Sequence, residues 1–252
     1  MTFVSRLATV CFIIAIPLFL ITSNIRILAT DAAYYRHGFR KYNAAEVTGV
    51  PLSDLDRAAN EMVGYFEDDS TTLHIIVTED GQEASLFNAK ETAHMEDVKS
   101  LMRVVFRANE ISLAVIVCYI TCVFIWARQK SLRRLAVESL AGVGVGFAVL
   151  IAVGIFAVTG FDAAWTRFHE IAFRNDLWEL NPATDHLIQM FPEKFWQEAT
   201  YFVGGLTIAE ALVIVITATL YLVLARERRT TPAKTEGAQP VAPAPNSEAA
   251  QP

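Results

Sequence analysis

The dominant pattern along the chain is four long apolar stretches separated by polar segments. They cover residues 4–28, 111–127, 135–161 and 202–225. A helix needs about 20 apolar residues to cross the hydrocarbon core of a membrane, where no water can satisfy the backbone. The pattern therefore predicts an integral membrane protein built on four transmembrane helices.

The first stretch has two interpretations. It contains Pro17, which predicts a kink, and Asn24 and Arg26 interrupt its far end. A short apolar run behind Arg6 is also compatible with a signal peptide. Because no clean small-x-small cleavage site follows, we favour a retained membrane anchor.

Basic residues beside the stretches predict the orientation of the bundle, since Lys and Arg are retained on the cytoplasmic side. The loop between the second and third stretches carries basic residues and no acidic one, and further basic residues follow the fourth stretch. We therefore expect this loop and both termini to be cytoplasmic, and residues 31–107 and 162–200 to be external. The basic residues concerned are Arg6, Arg128, Lys130, Arg133, Arg134, Arg226, Arg228 and Arg229.

Composition and charge agree with this arrangement. Apolar residues make up 53% of the chain and charged residues only 19%. The net charge of −6 does not suit a nucleic-acid partner. The first external segment carries 8 basic and 14 acidic residues and the second carries 3 and 7, a combined charge of −10. All five histidines, at 37, 74, 94, 169 and 186, lie in the external segments. Cys11, Cys118 and Cys122 lie in apolar stretches, which excludes an external disulfide framework.

The predicted fold class is a mainly α membrane protein: a bundle of four transmembrane helices with a small extracytoplasmic α+β cap. Close packing between helices is expected at Gly142, Gly146 and Gly154. The predicted order is transmembrane helix 1 (1–30), an external loop with an amphipathic helix and a β-hairpin (31–107), helix 2 (108–127), a cytoplasmic loop (128–134), helix 3 (135–161), a second external loop (162–200), helix 4 (201–225) and a disordered cytoplasmic tail (226–252).

The first external loop has its own pattern. Ser53 is a candidate N-cap of a helix that lies on the bilayer or on the bundle. The apolar face of this helix is predicted to contain Leu55, Ala59, Met62 and Phe66. The strand-like run 73–78 precedes the hairpin signal Asp80-Gly81 and a second run at 84–88. Residues 93–102 then predict a helix that leads into the second transmembrane helix.

Several enzyme signatures are missing. His169-Glu170 begins the helical zinc-protease pattern, but position 173 is Phe where a second His is required. The chain has no Gly-x-Ser-x-Gly motif, no glycine-rich phosphate loop and no external Cys nucleophile. The remaining chemistry is general acid–base catalysis by histidine, whose ordinary pKa lies near neutrality.

Two histidines have a carboxylate at helical spacing. Asp97 follows His94 by three residues, so it can hold that ring in one tautomer, and Asp176 follows His169 by seven, on the same face of a helix. An aromatic belt at the headgroup level explains Trp165, Trp178, Trp196 and Tyr201, but it does not call for His169, Asp176 and Asp185 among them. Whether His94 and His169 meet depends on the fold.

Three blocks of residues carry a family resemblance. They are His94-Met95-x-Asp97-Val98-Lys99, Phe168-His169, and Asn175-Asp176-Leu177-Trp178 with Thr184-Asp185-x-Leu187-Ile188-x-Met190-Phe191-Pro192. In these blocks the chain resembles the bacterial lipoprotein intramolecular transacylase family of integral membrane proteins. The resemblance extends from residue 1 to about residue 229.

The resemblance implies a reaction at the outer face of the bacterial plasma membrane. An acyl chain moves from the diacylglyceryl group on the N-terminal Cys of a lipoprotein to the α-amine of that same Cys, which gives a lyso-form lipoprotein. The implied partners are a diacylated lipoprotein and membrane lipids, the implied catalytic residues are His94 and His169, and no metal or cofactor is implied. We expect Asp97 and Asp176 to support the histidines, with Trp178 and Asp185 nearby, and Arg167, Arg174 and Asn175 as candidate donors to the developing oxyanion.

Two other functions remain open at this point. A metal-dependent membrane hydrolase would use His94, His169, Asp97 and Asp185 as ligands. A non-catalytic membrane module that binds a lipoprotein or a lipid would have similar external loops and a similar aromatic belt.

Overall fold

The structure is a computed structural model that describes residues 3–79, 81–127 and 130–230. Within these ranges it describes all side chains except those of residues 126–127, 130–131, 156–159 and 227–230. The predicted tail beyond residue 230, Arg128 and the hairpin residue Asp80 lie outside the described residues. The described elements are α1 (Phe3–Ala29), α2 (Ala32–Lys41), α3 (Ala44–Thr48), α4 (Leu52–Glu67), β1 (Ile76–Glu79), β2 (Gln82–Ser85), α5 (Ala89–Ala127), α6 (Lys130–Thr159), α7 (Phe161–Ala172), α8 (His186–Met190) and α9 (Glu193–Thr230).

Helices α1, α5, α6 and α9 are long and apolar enough to cross a membrane, which confirms the predicted four-helix fold class. Helix α1 is continuous across Pro17 and packs against the other three. Its core contacts centre on Phe12 and Ile16, while large apolar side chains such as Val117 and Ile151 are exposed on the outside of the bundle. Exposed apolar side chains around a buried seam are what a lipid environment requires.

Small residues bring α6 close to α1. A Cβ added at Gly142 would lie 2.9 Å from the backbone oxygen of Ile13, and one at Gly146 would lie 3.0 Å from Cβ of Pro17. The expected packing role of these two glycines agrees with this geometry. Gly154 differs, because a Cβ there would have no described neighbour within 4 Å.

Replacing Gly142 with Ala is expected to destabilise the bundle by about 1–3 kcal/mol, because the new methyl group meets a backbone oxygen that cannot move alone. Gly144→Ala is the matched control in the same helix, since its Cβ would have no described neighbour within 4 Å. Thermal unfolding of the two variants in detergent tests this. Equal midpoints would contradict the close approach of α6 to α1.

The cap consists of residues 31–107 and 162–200, and its small sheet is the antiparallel pair β1–β2, with Ile76 opposite Ser85. The predicted apolar face of α4 is buried. This face packs into the core of the cap together with Phe39 and Phe195, rather than onto lipid. The N-cap prediction is wrong, because α4 begins at Leu52 after Pro51, so Ser53 lies inside the first turn.

Helix α5 connects the cap to the bundle and carries His94. Its N-terminus has a capping box, in which Asn88 Oδ1 accepts from the Glu91 backbone N–H at 3.0 Å and Glu91 Oε2 accepts from the Asn88 N–H at 2.8 Å. A helix of 39 residues is about 58 Å long, roughly twice the hydrocarbon thickness of a membrane. The first part of α5 therefore extends beyond the bundle and holds His94 in the cap.

Candidate functional site

The cap brings His94 and His169 together. His94 lies on α5 and His169 on α7, which is separated from α6 by the single residue Gly160. The centroids of the two imidazole rings are 6.2 Å apart. Both residues are buried, with 6% and 8% of their surface exposed. Two residues that are 75 positions apart in the sequence thus share one enclosed site.

Aromatic rings surround His169. Its ring centroid is 4.6 Å from that of Trp165, 5.1 Å from that of Trp178 and 5.7 Å from that of Phe173. Its Nδ1 lies 2.8 Å from the backbone oxygen of Trp165. Because a carbonyl only accepts hydrogen bonds, Nδ1 carries the proton, and Nε2 of the neutral ring keeps its lone pair.

Burial also keeps His169 neutral. Desolvation lowers the pKa of its imidazole, against the smaller opposing effect of the hydrogen bond to Trp165. At neutral pH the ring is therefore unprotonated at Nε2, the state that a general base needs.

His94 is the more deeply buried of the two rings. Desolvation, with a smaller contribution from the charge of His169, lowers the pKa of His94 to about 4, although Asp97 acts in the opposite direction. Its Nδ1 is buried without a hydrogen-bond partner among the described residues. The ring centroid of Phe173 lies 5.1 Å away. An unpaired buried nitrogen is costly, so this atom is free to bind a group that the site receives.

The burial of His94 makes a prediction about stability. The unfolded chain binds a proton at this ring near pH 6.5, whereas the folded chain does so only near pH 4. The stability contributed by the neutral ring is therefore complete above pH 6.5 and is lost progressively as the pH falls toward 4. The thermal midpoint of the wild type should fall more steeply across this range than that of His94→Gln. Parallel curves would contradict the assignment.

The structure has no hydrogen bond between Asp97 and His94, although the Asp97 carboxylate acts on the His94 pKa. Asp97 Oδ2 instead accepts a hydrogen bond from Asn175 Nδ2 at 2.9 Å. Asn175 Oδ1 accepts from the backbone N–H of Leu177 at 3.1 Å. The Asn175 amide is therefore engaged with Asp97 rather than directed at a reacting oxygen, and these two predicted residues contact each other.

The structure records no hydrogen bond or ion pair between an imidazole and Asp176, Arg167 or Arg174. Helix α7 ends at Ala172, so Asp176 is not on a helical face with His169. Arg167 forms an exposed ion pair with Glu170 at 2.6 Å, and Arg174 is exposed. The structure records no contact of either guanidinium with a histidine ring. Trp178 does lie in the site, packed on His169.

Asp185 belongs to a second, structural group. It accepts from the Asn181 backbone N–H at 2.7 Å and from Asn88 Nδ2 at 3.1 Å. The buried Glu91, which is 1% exposed, accepts from the backbone N–H of Leu187 at 2.6 Å. This group joins the start of α5 to the segment around the start of α8, and it therefore fixes His94 relative to the second segment of the cap, residues 162–200.

Sequence reasoning missed Glu91 and Phe173. The pattern Asn-x-x-Glu at 88–91 is a capping-box signal that would have placed Glu91 in the first turn of a helix. The contact of Phe173 with both imidazoles has no local signal, because Phe173 lies just beyond the end of α7.

A metal site is not favoured by this geometry. Among the described residues, no three His, Cys, Asp or Glu side chains are placed to hold one ion. Asp185, one of the proposed ligands, is held by Asn88 and Asn181. The residues that meet are two histidines and a set of aromatic rings.

One protein family matches most of the chain. The family described as lipoprotein intramolecular transacylase Lit matches residues 10–196. A protein of Aquifex aeolicus (strain VF5), described as uncharacterized, is 30% identical over 134 residues, which are 53% of this chain and 57% of that relative. The alignment thus covers a little over half of the relative's length.

Solved structures share the fold. The membrane-integral lipoprotein intramolecular transacylase Lit of Bacillus cereus superposes with a TM-score of 0.69 at 17% identity, over 90% of this chain and 98% of that one. A structure of the same protein with one histidine replaced by alanine gives a TM-score of 0.66 at 17% identity, over 90% and 96% of the two chains. Four membrane-spanning helices and a match over most of the chain lead to one conclusion: this integral, multi-pass membrane protein belongs to the lipoprotein intramolecular transacylase family, Lit.

Proposed function

We propose that this protein moves an acyl chain from the diacylglyceryl group of a lipoprotein's N-terminal Cys to the α-amine of the same residue, with His94 and His169 as the catalytic residues. The observation that carries the proposal is the pair of neutral imidazoles, 6.2 Å apart, in a buried aromatic site of a member of this family.

The chemistry needs a base and no protein nucleophile. The α-amine attacks the ester carbonyl, a C–N amide bond forms and the C–O bond to glycerol breaks. His169 Nε2 accepts the proton that the amine loses, and a proton returns to the glycerol oxygen as it leaves. His94 relays this proton or orients the reacting groups. The two histidines thus transfer protons and form no acyl-enzyme.

Proximity supplies much of the remaining acceleration. The amine and the ester belong to one substrate molecule, so the protein has only to hold them close together. The amine has a pKa near 8, within reach of an imidazole base at neutral pH. The unpartnered Nδ1 of His94 supports a role in contacting the reacting groups.

The site is proposed to face the outside of the bacterial plasma membrane, with both termini in the cytoplasm. The basic residues between the second and third apolar stretches and after the fourth support this orientation. The diacylated lipoprotein then reaches the cap from the outer leaflet by lateral diffusion, without leaving the membrane.

Expression in a bacterium that lacks N-acyl transfer tests the proposal. Mass spectrometry of a lipoprotein's N-terminal peptide should show an amide-linked acyl chain and one ester-linked chain fewer. An unchanged peptide, with the protein shown to be inserted in the membrane, would contradict the proposed function. Full activity of a His94→Gln, His169→Gln double variant would instead point to a different catalytic site.

A further inference from the structure

An irregular segment covers the two imidazoles. Residues 173–180, here called the strap, follow the end of α7 at Ala172 and contain no helix or strand. Phe173 contacts both histidine rings, with centroid distances of 5.1 Å to His94 and 5.7 Å to His169. The indole of Trp178, near the other end of the strap, packs on His169. Residues near both ends of the strap thus line the site.

Helix α5 holds the strap at two points. Lys90, His94 and Asp97 follow one another at intervals of four and three residues, so they share one helical face. Lys90 Nζ donates to the backbone oxygen of Glu179 at 2.5 Å, and Asp97 Oδ2 accepts from Asn175 Nδ2 at 2.9 Å. The two polar contacts lie on either side of His94, one turn away in each direction.

We propose that Lys90 and Asp97 are positioning residues that hold the strap closed over His94 and His169, and that the strap moves aside when the lipid-bearing end of the substrate enters. Both imidazoles are more than nine-tenths buried while the strap is in place, so a bulky lipid ester cannot contact them without such a movement. The second part of the proposal rests on the proposed function, whereas the closing role of the strap does not.

The contact between Asp97 and Asn175 makes the proposal specific. If Asp97 only holds the strap closed, it needs only an oxygen that accepts the hydrogen bond from Asn175 Nδ2. Asp97→Asn should then preserve its role. As the charged partner of a catalytic histidine, Asp97 would need its carboxylate, and the same variant would fail and shift the pH profile of activity. The conservative substitution therefore separates a positioning role from an electrostatic one.

The test measures histidine accessibility without any lipoprotein. Diethyl pyrocarbonate acylates neutral imidazoles, and mass spectrometry reports the rate at each histidine of the full-length protein in detergent. Asp97→Ala should raise the rates at His94 and His169 by about 3- to 10-fold, the effect of losing one hydrogen bond. Asn175→Ala should raise them at least as much, because it also removes the acceptor of the Leu177 backbone N–H. The exposed His37 and His74 serve as internal references, with unchanged rates.

Three comparisons complete the test. The Asp97→Ala, Asn175→Ala double variant should match Asn175→Ala alone, because the contact that Asp97→Ala removes is already lost in Asn175→Ala. Asp97→Asn should match the wild type. Asn60→Ala removes two exposed hydrogen bonds of the cap, one from Arg36 Nη1 at 3.0 Å and one to the backbone oxygen of Asp56 at 3.0 Å, and should leave every rate unchanged.

Unchanged rates at His94 and His169 in both alanine variants would overturn the proposal. Additive effects on these rates in the double variant would overturn it as well. An equal rise in the acylation rates of His37 and His74 would also overturn it, because it would mean that the whole cap had loosened. Acyl transfer by the same variants is a second readout: Asp97→Ala should lower it several-fold, and Asp97→Asn should keep the rate at neutral pH, where His94 is neutral in both proteins. If the wild type transfers no acyl chain, the proposed function fails while the accessibility result still decides the role of the strap.

Discussion

Replacing His169 with Gln should lower the rate of acyl transfer by about 10²- to 10⁴-fold, the usual contribution of a general base. Gln fills similar space and can still donate to the Trp165 carbonyl, but it cannot take a proton from the attacking amine. The aromatic packing around position 169 should therefore persist while the chemistry stops. Amide-linked acyl product, quantified by mass spectrometry at equal protein level, measures the effect.

His74→Gln is the matched control for this variant. His74 is an exposed residue of the cap, and its substitution should leave the rate unchanged. His94→Gln should also abolish most of the product if His94 takes part in proton transfer. Wild-type rates in His169→Gln, with the fold intact, would contradict the assignment of the base.

Replacing Glu91 with Ala should destabilise the protein by about 2–4 kcal/mol, because one buried and one partly buried backbone N–H group would lose their acceptor. These groups belong to Asn88 at the start of α5 and to Leu187 in α8. Burial raises the pKa of the Glu91 carboxyl, yet both of its oxygens are hydrogen-bonded and join the two segments of the cap. Thermal unfolding in detergent, followed through the cap tryptophans, tests this.

Glu96→Ala is the matched control for the same helix. Glu96 is exposed and accepts one exposed hydrogen bond, from Thr72 Oγ1 at 2.8 Å. Its loss should change stability by about 0.5 kcal/mol or less. Similar midpoints for the two variants would contradict the view that Glu91 holds the loops together.

The bundle was predictable because a membrane span has a composition that no other element shares. Water-excluded backbone requires long uninterrupted apolar runs, and the four runs correspond to α1, α5, α6 and α9. The apolar face of α4 was also readable from its spacing. The sequence could not predict what covers this face, because a helix that packs on the cap core and a helix that packs on lipid have the same spacing of apolar residues.

The site was only partly predictable. The resemblance indicated His94 and His169, but their meeting depends on the packing of α7 against α5, which local spacing does not encode. Asp97 and Asp176 were assigned by helical intervals that assume a continuous helix. That assumption failed for Asp176 because α7 ends at Ala172, after which Asn175 bonds to Asp97 and to a nearby backbone N–H.

A crossover experiment tests the central claim most directly. Purified protein is given two synthetic diacylated lipopeptides at once, one with isotope-labelled acyl chains and the other with an isotope-labelled peptide. Intramolecular transfer predicts amide-linked product in which every acyl chain stays on its own peptide, and His169→Gln should yield almost none. Exchange of labels between the two peptides, or release of free fatty acid in place of amide, would contradict intramolecular transfer by a histidine base.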